Sequence, residues 1–248
     1  MLERNAVICS GNMPIFSISD ARPLIFPCLI VSCQAYDDNP MRGPTFMRAM
    51  ALSALQGGAG AIRANGVEDI RAIRDVIDAP IIGLNKIWSD TSEVYITPTF
   101  ASAVELAGAG ADIIALDVTP RPRPGGETLE QLIQKIRNEL GLRVFADCST
   151  ILDAIAAVKL GADYVSTTLS GYTPYTAKNK TAGPDFKTLE AIAQSVSVPV
   201  IAEGRFWTPF EVGHAFELGA SAVVIGTAIT SPVDITKRFA KEVPDSLE

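Results

Sequence analysis

The stretch Pro199-Val-Ile-Ala-Glu-Gly-Arg205 carries the fold prediction, because a short apolar run leads directly into a carboxylate, a glycine and an arginine. A second apolar run, Ala222–Ile225, leads into Gly226-Thr227 in a similar way. Backbone N–H groups at a glycine beside a helix start bind anions well. In a (β/α)8 barrel, the loops after strands 7 and 8 often hold a phosphate. The two segments therefore predict the last two strands of such a barrel, with a phosphate-binding end.

A repeat in the rest of the chain supports this prediction. A helix pattern that ends in glycine, followed by alanine and a strand, recurs at Gly60, Gly110, Gly161 and Gly219. The apolar runs are continuous, which is typical of parallel strands buried on both faces. We predict eight strands, at residues 25–33, 61–63, 80–84, 113–116, 143–146, 164–166, 199–202 and 222–225.

The predicted fold class is α/β, a (β/α)8 TIM barrel of the ribulose-phosphate-binding type. The length of 248 residues suits one such barrel. We assign residues 23–248 to the barrel and residues 1–22 to an N-terminal arm. An open doubly wound sheet is the alternative, but no GxGxxG motif follows an early strand.

Composition excludes several classes of function. The net charge of −7 disfavours broad nucleic-acid binding, and no apolar run approaches the roughly 18–20 residues of a membrane span. The four cysteines show neither a CxxC motif nor ligand spacing with His214, so we predict no metal site and a reducing, cytoplasmic location. His214 lies within a helix pattern and is predicted to be structural.

Polar residues at the carboxyl ends of barrel strands are the usual site of chemistry. Lys86, after strand 3, and Glu203, after strand 7, form the sharpest pair. A partly desolvated lysine near another cation has a lowered pKa and can act as a base or form a Schiff base. A carboxyl group near apolar walls has a raised pKa and can donate a proton. The alternatives are structural ion pairs, between Lys86 and Asp117 or Glu203, or between Glu203 and an arginine.

Other strand ends complete the predicted site. Gln34, Arg63 and Thr168 are candidates for holding substrate, and Asp147 either does so, orients Lys86, or caps the fifth helix. The forked donors of Arg205, with backbone groups at three other positions, are candidates for gripping phosphate; these positions are Gly204, Gly226 and Thr227.

Three loops on the same face are unusual. The connections at residues 87–99 and 169–185 exceed the usual 2–6 residues, and each is either a tolerated insertion or a lid that excludes water. The segment Arg121-Pro-Arg-Pro-Gly-Gly126 is either a stiff turn or part of a gate.

The strand ends together resemble the N-acylglucosamine-6-phosphate 2-epimerase family over residues 24–240. The resemblance is carried by Ser32-Cys-Gln34, Ala61-Ile-Arg63-Ala-Asn-Gly66, Gly83-Leu-Asn-Lys86, Tyr95-Ile-Thr-Pro98, Ala115-Leu-Asp117 with Arg121-Pro-Arg-Pro124, Ala146-Asp147, Thr167-Thr-Leu-Ser-Gly-Tyr172 and Ala202-Glu-Gly-Arg205. The resemblance implies an enzyme that interconverts N-acetyl-D-mannosamine 6-phosphate and N-acetyl-D-glucosamine 6-phosphate in sialic acid catabolism. It also implies a homodimer that needs no cofactor.

The resemblance assigns roles to individual residues. It implies that Lys86 and Glu203 are catalytic and that Gln34, Arg63 and Asp147 hold the substrate. Two other hypotheses remain open from the residues alone: a Schiff-base aldolase or isomerase that uses Lys86, and a phosphosugar-binding regulatory module without turnover.

Overall fold

Eight parallel strands close into a barrel within residues 21–244, the part of the chain that the computed structural model describes. Each strand pairs with the next, and the eighth pairs with the first, so the predicted (β/α)8 fold is confirmed. The strands β1 to β8 are Cys28–Cys33, Ala61–Asn65, Ile81–Leu84, Ile113–Asp117, Arg143–Asp147, Tyr164–Ser166, Val200–Glu203 and Ala222–Ile225.

The strand bounds differ from the prediction mainly at their ends. The first strand begins at Cys28 rather than at residue 25, because Pro27 has no N–H to contribute to a ladder. Three strands extend one residue further than predicted and include the carboxylates Asp117, Asp147 and Glu203. These acidic residues are therefore fixed by the sheet and do not lie in loops.

Helices alternate with the strands and cover the outside of the barrel. The fourth helix shows why: Leu132, Ile133 and Ile136 form its buried face, as its 3.6-residue apolar spacing predicts. Thr128 and Gln131 begin this helix with a capping box. The helices α1 to α9 are Pro44–Gln56, Val67–Arg74, Phe100–Gly108, Leu129–Glu139, Ile151–Leu160, Phe186–Ala193, Pro209–Glu217, Thr227–Thr230 and Pro232–Ala240.

Alternate strands fill the barrel interior in layers, as in other barrels of this type. The strand register places four side chains from the odd-numbered strands at one height; they are Ile30, Ile82, Phe145 and Ile201. Because side chains in a strand alternate between faces, the residues two and four positions further along also point toward the barrel axis. This alternation decides which strand-end residues can meet.

Two ion pairs close the amino-terminal end of the barrel. The Gly-Ala repeat continues into aspartate at Asp112 and Asp163, just before β4 and β6. Asp112 pairs with Arg74, and Asp163 pairs with Arg137, with 2.5 Å between Arg137 Nη1 and Asp163 Oδ2. Each carboxylate also accepts a backbone N–H from a neighbouring strand. These contacts fix helices α2 and α4 to the bottom of the sheet.

The predicted N-terminal arm falls mostly outside the described residues, which begin at Ala21. Its last two residues pack against the barrel, since Ala21 is buried and the Arg22 side chain contacts Asp112 and Asp78.

His214 lies on α7, where its ring packs against Phe186 and Nδ1 lies 3.0 Å from Glu217 Oε2. This position agrees with a structural role.

Candidate active site

The polar residues predicted at the strand ends point into the barrel mouth in successive layers. Arg63 lies two residues further along β2 than Ala61, at the same height in the barrel as Ser166. Asp147 and Glu203 form the next layer, two residues above the apolar layer of the odd strands. Thr168, two residues beyond Ser166, contacts both carboxylates, and Gln34 and Lys86 lie just past the ends of β1 and β3. The strand register of the closed barrel thus brings together residues that are far apart in the sequence.

A buried arginine joins the two carboxylates at the centre of the site. Arg63 is 1% exposed and its guanidinium carbon lies 5.0 Å from the centroid of the Phe145 ring. Its Nη2 lies 2.7 Å from Asp147 Oδ2, and its Nη1 lies 3.3 Å from Glu203 Oε2. The second contact has ion-pair distance without hydrogen-bond geometry, and neither Nε nor Nη1 donates a hydrogen bond to any residue within 21–244. Arg63 therefore keeps buried donors available for a ligand oxygen.

A threonine hydroxyl links the same two carboxyl groups. Thr168 Oγ1 lies 2.7 Å from Asp147 Oδ1 and 2.9 Å from Glu203 Oε2. A hydroxyl has one hydrogen to donate, so both contacts are hydrogen bonds only if one carboxyl group is protonated. Burial raises the pKa of Glu203, and the negative charge of Asp147 raises it further, although Arg63 opposes both effects. Glu203 is thus suited to carry a proton and donate it to Thr168, while Thr168 donates to Asp147.

The Lys86 amine is suited to be a neutral base. Burial lowers the pKa of Lys86, and the positive charge of Arg63 lowers it further, whereas Glu203 and Asp147 have the opposite effect. The predicted ion pairs with Asp117 and Glu203 do not form, and Nζ has no carboxylate within salt-bridge distance among the described residues. The amine lies instead 5.2 Å from the centroid of the Tyr36 ring.

The loop after β3 is a short hairpin that carries Lys86 at its base. In this β3 flap, residues 86–96, Lys86 pairs with Ile96 and Ser89 pairs with Ser92 in antiparallel bridges. The flap rests on the β4–α4 loop, where Ser92 Oγ donates to the carbonyl of Pro122 at 2.8 Å. The predicted lid at 87–99 is therefore an ordered structure attached directly to the candidate base.

The basic β4–α4 turn is a stiff support. Arg121 donates to Asp117 Oδ2 at 2.5 Å and to Thr119 Oγ1 at 2.9 Å. Arg123 is buried and donates to the carbonyls of Asp117 and Pro98, which ties this turn to the end of the preceding loop. These contacts favour the stiff-turn interpretation of this segment over the gate.

The candidate phosphate cradle lies where β7 and β8 end. Gly204 and Arg205 both have positive φ, 115° and 61°, and the chain bends sharply at these two residues as β7 ends. Gly226 precedes α8, and a Cβ there would lie 3.4 Å from Ser32 Cβ, so the backbone approaches β1 closely. Toward the residues that the structure describes, the backbone N–H groups of Gly204, Arg205, Gly226 and Thr227 make no hydrogen bond.

The side chain of Arg205 is not placed to bind phosphate, which was its predicted role. All three of its nitrogens donate to the β6–α6 loop: Nε to Gly183 O at 2.8 Å, Nη1 to Ser170 O at 2.8 Å, and Nη2 to Thr181 Oγ1 at 3.3 Å. The guanidinium therefore fastens this loop and does not stand as a free fork for phosphate. Only the backbone of Arg205 remains a candidate phosphate contact.

Asp147 does not cap the fifth helix, which was one of its predicted roles. Thr150 caps α5, in a capping box with Asp153. Asp147 is completely buried and accepts from Arg63, Ser166 and Thr168. Its position is that of an anchor for the site.

Gln34, a candidate substrate-binding residue, has a hydrogen-bond partner for its side-chain nitrogen but none for its side-chain oxygen among the described residues. Its Nε2 donates to Ser32 Oγ at 2.8 Å, and its Oε1 is buried without a donor among the described residues. A buried acceptor without a donor is costly unless a ligand supplies one. Gln34 is therefore placed to accept a hydrogen from the substrate.

Sequence reasoning did not select three residues that the structure places at the site. Ser166 Oγ lies 3.1 Å from Asp147 Oδ1 and 2.6 Å from Thr168 Oγ1. Tyr36 covers Lys86, and Tyr95 stacks on Trp88 with 4.2 Å between ring centroids. Ser166 could have been found from strand alternation, because it lies two residues before Thr168. The two tyrosines lie in loops, where no periodic signal exists.

Within the described residues, no group of three or more acidic, histidine or cysteine side chains is arranged to hold a metal ion. The helices of this same part of the chain include none with the length and apolar character needed to cross a membrane.

Known proteins resemble this chain over most of its length. Residues 47–245 match the model of the family described as "Putative N-acetylmannosamine-6-phosphate epimerase". A relative from Clostridium perfringens strain SM101, named "Putative N-acetylmannosamine-6-phosphate 2-epimerase", is 49% identical over 211 residues, which cover 85% of this chain and 94% of the relative. One from Clostridioides difficile strain 630 is 47% identical, covering 87% of this chain and 95% of the relative.

A solved structure agrees with these matches. The N-acetylmannosamine-6-phosphate 2-epimerase from Clostridium perfringens superposes with a TM-score of 0.85 at 45% identity, covering 95% of this chain and 100% of the other. The thiamine phosphate pyrophosphorylase from Pyrococcus furiosus has a TM-score of 0.56 at 19% identity, which shows a shared fold only.

Proposed function

The chain belongs to the N-acetylmannosamine-6-phosphate epimerase family, and from this premise we propose how its residues carry out the reaction. It is an isomerase that interconverts N-acetyl-D-mannosamine 6-phosphate and N-acetyl-D-glucosamine 6-phosphate in sialic acid catabolism. The two sugars differ only in the configuration at C2. The reaction therefore requires removal of the C2 proton and its return from the other face.

The observation that carries the mechanism is Arg63, buried beneath Lys86 and Glu203 with two nitrogens that donate no hydrogen bond to the described residues. In the open-chain sugar, C2 adjoins the C1 aldehyde, so loss of the C2 proton moves its electron pair onto O1 as an enolate. Donors fixed in a buried site stabilise such a developing charge strongly. We assign this role to Nε and Nη1 of Arg63.

Lys86 and Glu203 supply the two proton transfers. The lowered pKa of Lys86 favours the neutral amine, which takes the C2 proton from one face. The raised pKa of Glu203 favours the protonated acid, which delivers its proton to C2 from the other face. The electron pair returns from O1 to C2, and the C1 aldehyde is restored. The ammonium of Lys86 and the carboxylate of Glu203 then exchange a proton, directly or through solvent, before the next turnover.

The remaining residues hold the substrate. Asp147 and Thr168 position Arg63 and Glu203 through their direct hydrogen bonds. The backbone N–H groups at the Gly204-Arg205 and Gly226-Thr227 steps bind the 6-phosphate, where much of the binding energy is gained away from the reacting carbon.

The quaternary state and location are part of the proposal. No residue of α9, Pro232–Ala240, is buried, and Phe239 is 72% exposed. A single exposed apolar residue is common on monomeric proteins, so the homodimer acting in the cytoplasm that we propose is supported by the family resemblance alone. Sedimentation at equilibrium tests the dimer, and a monomeric mass across the working concentration range would exclude it.

Exchange of the C2 proton in D₂O tests the catalytic roles. Wild-type protein should replace the C2 hydrogen of N-acetylmannosamine 6-phosphate with deuterium, followed by NMR. Lys86→Met and Glu203→Gln should each reduce exchange on the order of 10²–10⁴-fold. The matched controls are Lys159→Met and Glu139→Gln, which change exposed helix residues and should leave exchange unaffected.

Two outcomes would overturn the assignments. Near-normal exchange in Lys86→Met or Glu203→Gln would remove that residue from the mechanism. A stable adduct on Lys86 after borohydride treatment with substrate would instead favour a Schiff-base enzyme.

A further inference from the structure

We propose that Tyr36, with the side-chain carbonyl of Gln34, recognises the acylamino group at C2 and so determines which N-acyl sugars the enzyme accepts. The proposal rests on the assignment of Lys86 as the base that acts at C2. It adds a specificity residue that the proton-transfer mechanism does not use.

The position of Tyr36 follows from the chemistry of Lys86. A base that removes the C2 proton must approach C2 closely, at about 3 Å or little more between heavy atoms. The acylamino nitrogen is bonded to that same carbon, so the acyl chain lies beside the amine. The Tyr36 ring centroid lies 5.2 Å from Lys86 Nζ. The ring is therefore within contact range of a small acyl group attached to C2.

The exposure of Tyr36 leaves its ring available. Tyr36 lies in the loop after β1 and is 69% exposed, although it faces the mouth of a barrel. Rings with a polar hydroxyl and a large apolar face are effective contact surfaces for ligands. The methyl group of an acetyl substituent matches the apolar face of this ring.

Gln34 provides the polar half of the recognition. Gln34 follows β1 directly at the carboxyl end of the barrel, and its buried Oε1 accepts from no described residue. An amide N–H at C2 supplies the missing donor. A free amino sugar phosphate would present a cation near the charged guanidinium of Arg63, and charge repulsion would disfavour it.

A second exposed tyrosine serves as a matched control. Tyr172 is 44% exposed and its ring lies 5.3 Å from the guanidinium carbon of Arg205 and 4.4 Å from Lys180 Nζ. It therefore belongs to the β6–α6 loop, next to the phosphate cradle and on a different strand end from Lys86. Tyr172→Ala therefore removes an exposed tyrosine from the same end of the barrel and should leave recognition of the acyl group unchanged.

The experiment compares kcat/KM for N-acetyl-, N-glycolyl- and N-propanoylmannosamine 6-phosphate in four proteins: wild type, Tyr36→Ala, Tyr36→Phe and Tyr172→Ala. We expect Tyr36→Ala to lower kcat/KM for the N-acetyl substrate about tenfold, mainly through KM, because one small apolar group is worth roughly that factor. Its preference among the three acyl groups should shrink to within about twofold. Tyr36→Phe and Tyr172→Ala should keep the wild-type preference.

Contrary results separate this inference from the proposed function. If wild type shows no acyl preference, if Tyr36→Ala retains it, or if Tyr172→Ala loses it equally, the role of Tyr36 is wrong. If Lys86→Met retains C2 exchange, the base assignment fails, and the inference fails with it. Inactive Lys86→Met together with an unchanged preference in Tyr36→Ala would overturn the inference alone.

Discussion

Each end of the barrel holds an arginine–aspartate pair, fully buried for Arg63 and partly buried for Arg74, and the two pairs differ in how fully the guanidinium is used. At the amino-terminal end, Arg74 donates through Nε to Gly110 O, through Nη1 to Ile77 O and through Nη2 to Ala79 O, besides its pair with Asp112. At the carboxyl-terminal end, only Nη2 of Arg63 donates a hydrogen bond to a described residue. A guanidinium whose three nitrogens all donate to the protein stabilises the fold, whereas one with buried nitrogens that donate to no described residue can bind a ligand.

The sharpest test of this contrast is Arg63→Lys. An ammonium retains the charge but loses the planar fork, so the enolate oxygen loses its two donors. We expect kcat to fall on the order of 10²–10³-fold, the usual effect of losing an oxyanion donor. Steady-state kinetics with N-acetylmannosamine 6-phosphate measure the effect. A kcat within a few-fold of wild type would mean that Arg63 is as structural as Arg74.

Arg74→Lys is the corresponding experiment at the amino-terminal end of the barrel. It should leave kcat/KM within about twofold, but lower the free energy of unfolding by about 1–3 kcal/mol because buried acceptors lose their donors. Denaturant titration measures the change, and for a chain of this size each kcal/mol shifts Tm by about 2–4 °C. Unchanged stability, or lost activity in a well-folded variant, would contradict the assignment of this pair to the fold.

A smaller effect should appear at Lys86, where function and stability oppose each other. The pKa of Lys86 is lowered on folding, so the folded chain binds fewer protons than the unfolded chain between that pKa and the ordinary value of 10.5. Stability is therefore lost as pH falls through this window, and the loss is complete at lower pH. Lys86→Met removes it and should stabilise the protein by roughly 0.5–2 kcal/mol at neutral pH.

The pH dependence of that gain provides its control. Denaturant titrations at pH 7 and pH 10 should show the advantage of Lys86→Met shrinking, because at pH 10 the unfolded chain also begins to lose the Lys86 proton, near the ordinary pKa of 10.5. A gain of the same size at both values would point to packing and not to the buried charge.

The same contrast shows how much the sequence could predict. The Gly-Ala repeat and the continuous apolar runs predicted the barrel and nearly all of its strands, because both signals are local. Strand alternation also brings Arg63, Asp147 and Glu203 to one place once the barrel is assumed. The sequence could therefore predict which strand ends meet.

The sequence could not predict how each side chain is used. The diversion of Arg205 depends on acceptors at Ser170 and Gly183, in a loop whose path is set by tertiary packing. The contact between Tyr36 and Lys86 joins two loops from different strands. For the same reason, the sequence did not predict that Arg63 keeps two nitrogens without a partner among the described residues while every side-chain nitrogen of Arg74 donates, because each set of acceptors is assembled by the fold.

The lone hydrogen on Thr168 has a consequence for repeated catalysis. While Glu203 holds its proton, both contacts between Thr168 and a carboxyl group contain a hydrogen, because Glu203 donates to Thr168 and Thr168 donates to Asp147. Once that proton has passed to the sugar, Thr168 can donate to only one of the two carboxylates it contacts, and the proton taken from the sugar resides on Lys86. The spent enzyme is then the less stable form, so the architecture itself favours recharging of Glu203 and readiness for the next molecule.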